Sequence, residues 1–395
     1  VKFVLVGTAY PHRGGIAHYV ALLSRELTAC GHEVKVISFS RQYPSMLFPG
    51  KSQDEAGPEA IRVDSERLID SVGPWSWFRA ARRIGEIRPD LVVFKYWMPF
   101  FAPAYGTIAR GARRRGIRTC FLLDNVIPHE RRPGDLALTR YALGPVDTFI
   151  AQSKSVAEDL RRFRPEAPML EVPHPVYSIF GAESERAAAR ARLGVTASEV
   201  ALFFGFIRRY KGLANLLRAV ALIPKERSFQ LLIGGEFYED EAATKGLIRE
   251  LGIGDRVVMH DRYIANDEVA DFFSAANVAV LPYVTATQSG IIQIAMNFNR
   301  PVITTDVGGL PEVVRAGVLG EVVPPEDPAA LAAAIVDYFD RGKEAIYTPN
   351  MAREKERYSW GRLVEALETF ARGEQARTAE AGAGGPGSGG GAAPR

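Results

Sequence analysis

The apolar residues of this chain fall into two successive series of short runs, each run followed by a stretch in which apolar positions recur at helical spacing. "VKFVLVG" opens the first series. Ile16, Val20, Leu23 and Leu27 then line one helical stripe, and "EVKVIS" begins after Gly31, which is the order of a βαβ unit. "DLVVF", "RTCFLL" and "DTFIAQ" follow as runs without alternation, so they predict strands buried on both faces and a parallel sheet between helical layers. The pattern restarts with "EVALFFGF", "SFQLLIGG", "RVVMH", "NVAVLPY", "RPVITT" and "GEVVPP". The fold class is therefore α/β with two open-sheet domains.

Prolines in "EVPHPVYSIF", Glu171 to Phe180, interrupt the pattern between the two series, and a helix is predicted from about residue 185 to 193. This places a first domain at 1–180, a second at 181–343 and terminal helices at 344–372. Beyond Arg372, "GEQARTAEAGAGGPGSGGGAAPR" has almost no large apolar residue to offset the entropy of ordering, so 373–395 is predicted to be a disordered tail. "FSRQYPSMLFPGKSQDEAGPEA" reads as a long polar and aromatic loop in the first domain, the kind of segment that carries function more often than packing.

Composition narrows the class. At 395 residues the chain exceeds one ordinary core, and 47% apolar with 24% charged residues is a globular composition. Cys30 and Cys120 are far apart and fit neither a metal spacing nor a disulfide framework, which favours a reducing cytoplasm. No apolar run approaches eighteen residues and no secretory pattern precedes the first strand, so neither export nor a membrane span is expected. A net charge of +3 is too small to imply nucleic acid. The local run Arg110, Arg113, Arg114, Arg115 and Arg118 reads as a solvated helix face; with the apolar "YWMPFF", Tyr96 to Phe101, it could instead mark a peripheral contact with the inner face of a membrane.

Open α/β sheets bind ligands beyond the carboxyl ends of their strands, so the residues just after each run carry the candidate chemistry. After the first strand come Pro11, His12, Arg13, Gly14 and Gly15, where paired glycines let backbone N–H groups approach a ligand, or simply make a tight turn. In "GFIRRYKGLANLLRA", Arg208, Arg209 and Lys211 crowd a helix start, and their repulsion is relieved if a diphosphate sits among them. "TATQSG" precedes another helix, and "TTDVGGLPE" places Gly308 and Gly309 before a third. "DNVIPHE" sets Asp124, Asn125, His129 and Glu130 at a strand's carboxyl end, where an imidazole and a carboxylate could face the same cleft or satisfy the loop.

Together, "PHRGGIAHYVALLSRELTACGHEVKVIS", "GFIRRYKG" and "RPVITTDVGGLPEVVRAGVLGEVVPPEDPAALAAAI" resemble the retaining glycosyltransferases of family 4 over about residues 1–372. The resemblance implies the GT-B architecture: two Rossmann-like domains facing across a cleft, with the acceptor on the first, a nucleotide-sugar donor on the second, and the helix around "YSWGRLVEALETFA" crossing back onto the first. Lys211 matches the family's diphosphate lysine. Phe206 stands where the family arginine usually sits, so Arg208 or Arg209 must supply the second cation. Ala286 and Ile294 occupy the positions of the family's two glutamates, and Asp124 that of its histidine, with His129 five residues on. These departures fit a branch in which Gln288, Ser289, Gly290 and Ile291 hold the donor together with Gly14, Gly15, Arg208, Arg209 and Lys211. Catalytic roles are expected for His129, Asp124, Arg209 and Lys211, and acceptor contacts for His12, Arg13, Tyr96 and Trp97.

The expected reaction is transfer of a hexose-type sugar to a glycan, lipid-linked or small polyol acceptor, as in the synthesis of cell-surface polysaccharide. No Asp-x-Asp motif appears, so no metal and no cofactor beyond the donor are expected. Two alternatives remain open at this level: a nucleotide-sugar epimerase on the same fold, and a catalytically silent sugar-nucleotide-binding module.

Overall fold

The computed structural model describes residues 1–12, 14–44, 62–128, 132–177 and 179–374. The first series of runs forms a seven-stranded parallel sheet. Its strands are β1 (Lys2–Val6), β2 (Glu33–Arg41), β3 (Ser65–Asp70), β4 (Leu91–Tyr96), β5 (Arg118–Leu123), β6 (Thr148–Ala151) and β7 (Met169–Glu171), in the order β3-β2-β1-β4-β5-β6-β7. The second series forms a six-stranded parallel sheet of β8 (Glu199–Phe204), β9 (Phe229–Gly234), β10 (Val257–His260), β11 (Val278–Leu281), β12 (Val302–Thr305) and β13 (Gly320–Val323), in the order β10-β9-β8-β11-β12-β13. Each order reverses once, between β1 and β4 and between β8 and β11, and those switch points open the crevices in which such sheets bind ligands.

The central strands are apolar because both faces are covered: all six residues of β4 are buried. The two strands without a matching apolar run are β3 and β7. "SERLID" buries a single residue at the sheet edge, and "MLE" is three residues long, so neither carries the pattern of a covered strand.

Helices α1 (Gly15–Ala29), α2 (Pro74–Ile87), α3 (Ala102–Arg113), α4 (Asp135–Leu143) and α5 (Lys154–Phe163) connect the first sheet. Of these, α2 to α5 pack on the face that presents Val4, Val92, Phe94 and Phe121. The opposite face receives α1 and the terminal helix Trp360–Arg372, which packs against α1 and places Trp360 against Tyr19 at a ring separation of 5.0 Å.

One apolar cluster runs unbroken from Tyr19 and Leu23 of α1 through Val176, Tyr177 and Phe180 of the linker to Ile292 and Ile294 of the second domain. Burial across that seam, rather than the linker alone, sets how the domains meet. The Trp360 indole N–H donates to the Val176 carbonyl at 3.0 Å and ties the linker to the returning helix.

Candidate functional site

Backbone geometry builds the second domain's half of the cleft. The chain leaves β8 through Gly205, turns at Arg209–Lys211 and enters the helix Leu213–Leu222 through Gly212 at φ 71°. A Cβ on Gly212 would lie 1.9 Å from the Pro282 carbonyl oxygen, so only glycine lets this turn pack against the loop after β11.

Lys211 is thereby driven inward until it is 8% exposed. No carboxylate pairs with it among the described residues, and burial, then the nearby charge of Arg208, push its pKa down to about 7. A Cβ on Gly205 would lie 3.2 Å from the Lys211 Nζ and 3.0 Å from Ile291, so the ammonium and the start of the helix Gly290–Asn297 converge on one space. Ser289 caps that helix by accepting the Ile291 N–H at 3.3 Å, and the Tyr283 hydroxyl lies 3.2 Å from the Ser289 hydroxyl. A buried cation beside a capped helix N-terminus is a cradle for an anion.

The two arginines of this turn separate. Arg208 is half-buried, with its guanidinium 5.4 Å from the centre of the Tyr238 ring, and it is the charge that depresses Lys211. Arg209 is exposed and bonded through Nε and Nη2 to Asp240 at 3.0 and 3.1 Å. Of the two arginines expected to supply a second cation, Arg209 is thus engaged by Asp240, while Arg208 is the one whose charge acts on Lys211.

On the first domain's side, Asp124 follows β5 and is 6% exposed. Its Oδ1 accepts from the Lys95 ammonium at 2.5 Å and from the Gln288 amide of the second domain at 2.6 Å. Lys95 also donates to the Gln152 Oε1 at 2.9 Å and sits 3.5 Å from the centre of the Tyr19 ring, while the Gln152 amide donates to the Tyr19 hydroxyl at 2.6 Å. Burial pulls the Lys95 pKa down to about 8 against the opposing pull of Asp124, and burial followed by the Asp124 charge pushes the Tyr19 phenol up. The buried Gln288 Oε1 has no hydrogen-bond partner among the described residues. Lys95 and Gln152 escaped the sequence reading. The only signal was a lysine inside an apolar strand, a position that excludes lysine unless it is paired.

Further contacts close the cleft. Thr287 donates to the Asp124 carbonyl at 3.2 Å and bonds the Asn125 side chain. Glu312 accepts the first two N–H groups of α5, from Lys154 at 2.9 Å and Ser155 at 3.4 Å. Asn266 and His18 meet at 3.3 Å. The Tyr177 hydroxyl donates to the Gly15 carbonyl at 3.2 Å, and the same ring lies against Gly290, which brings the N-terminus of α1 to that of the helix Gly290–Asn297. Gly14 caps α1 at φ 108°. Tyr177 thus joins Gly15 to Gly290, the Gln288 amide joins the turn before the helix Gly290–Asn297 to Asp124, and Lys211 and Ile291 meet about Gly205.

Other expectations change. Tyr96 is fully buried and stacked on Phe121, so it offers no acceptor contact. Pro99 and Phe101 are buried beside it, which makes "YWMPFF" part of the first core rather than a membrane face. Trp97 stays half-buried against Phe101 and keeps some surface. His12 is 5% exposed with its Nε2 held 3.2 Å from the Phe39 carbonyl, a bond that ties the turn after β1 to β2. Arg13 and His129 lie outside the described residues, as does most of the long loop after Tyr43. Ala286 and Ile294 are both buried in the apolar cluster that crosses the domain seam.

Comparison with known proteins agrees with this geometry. Residues 198–341 match the family model described as glycosyl transferases group 1, and residues 14–175 match the glycosyl transferase 4-like domain. D-inositol 3-phosphate glycosyltransferase of Streptomyces coelicolor is 33% identical over 251 residues, which cover 60% of this chain and 52% of that protein. The match thus spans about half the length of such Streptomyces relatives. The Kineococcus radiotolerans protein of the same name is 31% identical over 94% of this chain and 93% of its own length. Among solved structures, sucrose-phosphate synthase from Thermosynechococcus elongatus superposes with a TM-score of 0.71 at 22% identity, covering 94% of this chain and 98% of that one. Anabaena Alr3699/HepE in complex with UDP-glucose gives 0.72 at 17%, covering 94% and 99%. These likenesses show the GT-B fold.

Proposed function

This chain belongs to the glycosyl transferases group 1 family, and from that premise we propose that it is a retaining glycosyltransferase that moves a hexose-type sugar from a nucleotide-sugar to a glycan, polyol or lipid-linked acceptor. One observation carries the reading: Lys211 is a buried lysine with no carboxylate partner among the described residues, and its ammonium converges with the start of the helix Gly290–Asn297 on one space.

The donor diphosphate occupies the cradle of Lys211, Arg208 and the N-terminus of the helix Gly290–Asn297. The sugar lies toward Asp124, where the unpartnered Gln288 Oε1 accepts from one of its hydroxyls. Attack comes from an acceptor hydroxyl on the same face from which the diphosphate departs. The new glycosidic bond forms as the bond to the diphosphate breaks, and the departing diphosphate oxygen takes the acceptor's proton. Negative charge grows on the leaving group, and a preorganised cation in a dry site stabilises that change more than it stabilises the bound donor. No carboxylate is needed as base, which is compatible with Ala286 and Ile294 at the glutamate positions. Ribose and base are then held by backbone groups and by apolar surface around Ile294.

The likeness to the complex of HepE with UDP-glucose favours a uridine donor as the first to test. A thermal-shift panel of UDP-, GDP-, ADP- and dTDP-sugars should single out one nucleotide, because a ligand at a hundred times its Kd stabilises the fold by about 2.7 kcal/mol. Product analysis with that donor and an added acceptor should then show a new glycoside. Binding without turnover would leave only a sugar-nucleotide-binding module, and an epimerised donor would replace transfer with isomerisation.

A further inference from the structure

Three helices of the first domain present a surface that sugar transfer does not use. α2, α3 and α4 lie side by side on one face of the seven-stranded sheet, with Ala81 of α2 pressed against Gly111 of α3. Eight large apolar side chains stand out as exposed among the described residues, and five of them, Val72, Trp75, Phe78, Leu136 and Tyr141, lie on or next to these helices. Trp75 is 87% exposed and Phe78 56%, with their ring centres 6.4 Å apart.

The inward side of α2 is Ala80, Ala81 and Ile84, so Trp75, Phe78, Arg79 and Arg82 share its outward stripe. Charge separates this region from the rest of the chain. Residues 74–143 carry 13 Lys and Arg against 5 Asp and Glu, whereas the whole chain carries 49 against 46. The helical layer is thus strongly basic and the remainder is net acidic. Arg79, Arg82, Arg113, Arg114, Arg115 and Arg140 are all exposed on it.

We propose that the outer face of α2, α3 and α4 docks on an anionic lipid bilayer, with Trp75 and Phe78 in the headgroup layer and the arginines over the lipid phosphates. Aromatic rings next to cationic side chains match the polarity gradient of a bilayer surface. A second copy of the chain is a poor occupant, because a two-fold contact through this face would bring the same positive charge from both sides. No helix among the described residues is long and apolar enough to cross a membrane, so the contact is made from one side. Trp75 lies near the start of α2, just after the carboxyl end of β3, which puts the inserted rings at the cleft end of the layer. This inference rests on the transferase reading only in assigning the acceptor: it makes the acceptor lipid-linked, delivered at the mouth of the cleft.

Vesicle co-sedimentation of the full chain tests the surface without any turnover. Phosphatidylcholine vesicles containing phosphatidylglycerol should retain the protein, and pure phosphatidylcholine should not. Raising salt from about 0.15 M to about 1 M should release it, since the Debye length falls from about 8 Å to about 3 Å. R79Q/R82Q should weaken binding by about twenty-five-fold, taking about fivefold for each basic residue near an anionic surface. W75S/F78S should abolish both sedimentation and the blue shift of tryptophan emission on vesicle addition, while donor binding stays unchanged. Equal binding to neutral vesicles, or no binding at all, overturns the proposal. So does a dimer in sedimentation velocity that W75S/F78S dissolves, because the stripe would then be a protein interface.

Discussion

Lys95 lies at the carboxyl end of β4 and Lys211 in the turn that follows β8, one in each domain, with 3% and 8% of their surface exposed. Lys95 has Asp124 at 2.5 Å, Gln152 at 2.9 Å and the Tyr19 ring beneath it. Lys211 has a second cation, Arg208, as its neighbour and no carboxylate among the described residues. Burying a charge costs free energy in both places, but only at Lys95 does the protein supply the compensation. At Lys211 no carboxylate among the described residues supplies it, and in the proposed function the donor diphosphate does. One side of the cleft is finished as a protein interior, and the other is left incomplete in the shape of an anion.

Breaking the finished side should have the largest effect. Lys95→Met leaves Asp124 as a buried carboxylate without its cation, and removing one partner of a buried pair costs about 3–5 kcal/mol. Chemical denaturation should show that loss, and Lys95→Met/Asp124→Asn should recover most of it, because the second change removes the stranded charge. A single variant as stable as the wild type would mean that Gln288 and solvent can satisfy Asp124, and the contrast with Lys211 would disappear.

The incomplete side should respond in the opposite sense. Lys211→Ala removes a buried amine that no carboxylate among the described residues pairs with, so stability should hold or rise slightly. The transfer rate should fall about a hundredfold, equivalent to about 2.7 kcal/mol of leaving-group stabilisation. Denaturation and turnover measured on the same preparation decide it. A variant that loses stability as Lys95→Met does, with its rate intact, would make Lys211 a structural residue.

Those two lysines also mark how far the sequence could be read. Lys211 was visible because three cations stand at one predicted helix start. A local pattern in "FIRRYKG" sufficed for the turn, as periodicity in "RTCFLL" and "RPVITT" sufficed for strands β5 and β12. Lys95 was hidden because its partners lie 29 and 57 residues away, just beyond β5 and just beyond β6, and only the folded sheet brings them together. Tyr96 was misread for a related reason: the apolar run "DLVVF" continues two residues further into β4 than its composition suggested, which carries the phenol into the core. The pairing of Arg209 with Asp240, some thirty residues on, was likewise hidden, because no spacing rule predicts it.

The pH dependence of donor binding sharpens the comparison further. The folded-state pKa of Lys211 is about 7, below the 10.5 of a free lysine, so the unfolded chain binds more protons between these values. The cost of its burial is therefore fully present below about pH 7 and is relieved as pH rises toward 10.5. A diphosphate acts against that shift, raises the lysine's pKa and is bound together with a proton. Below about pH 7 the lysine is already charged, and affinity should not depend on it. Above that, affinity should fall, by about fivefold between pH 7 and pH 8. Titration calorimetry in buffers of different ionisation enthalpy should detect the proton uptake, and Lys211→Ala should abolish it. An affinity that is level across this range would mean that Lys211 stays charged without the ligand.

The smallest effect is expected at Arg209, and it tests which arginine completes the anion cradle. The Arg209 side chain is 79% exposed and engaged by Asp240, and an exposed ion pair of this kind contributes between nothing and about 1 kcal/mol. To reach a diphosphate beside Lys211 it would have to leave Asp240 and cross to the interior side of the turn. Arg208 needs no such exchange, because its charge already acts on Lys211. Arg209→Ala should therefore change the transfer rate and donor Kd by no more than about threefold, while Arg208→Ala should weaken both by at least about tenfold. Parallel measurement of the two variants is the check. If Arg209→Ala proves the more damaging, the pairing with Asp240 must be exchanged for the donor on binding, and Arg208 must belong with the aromatic residues around Tyr238 instead of the diphosphate.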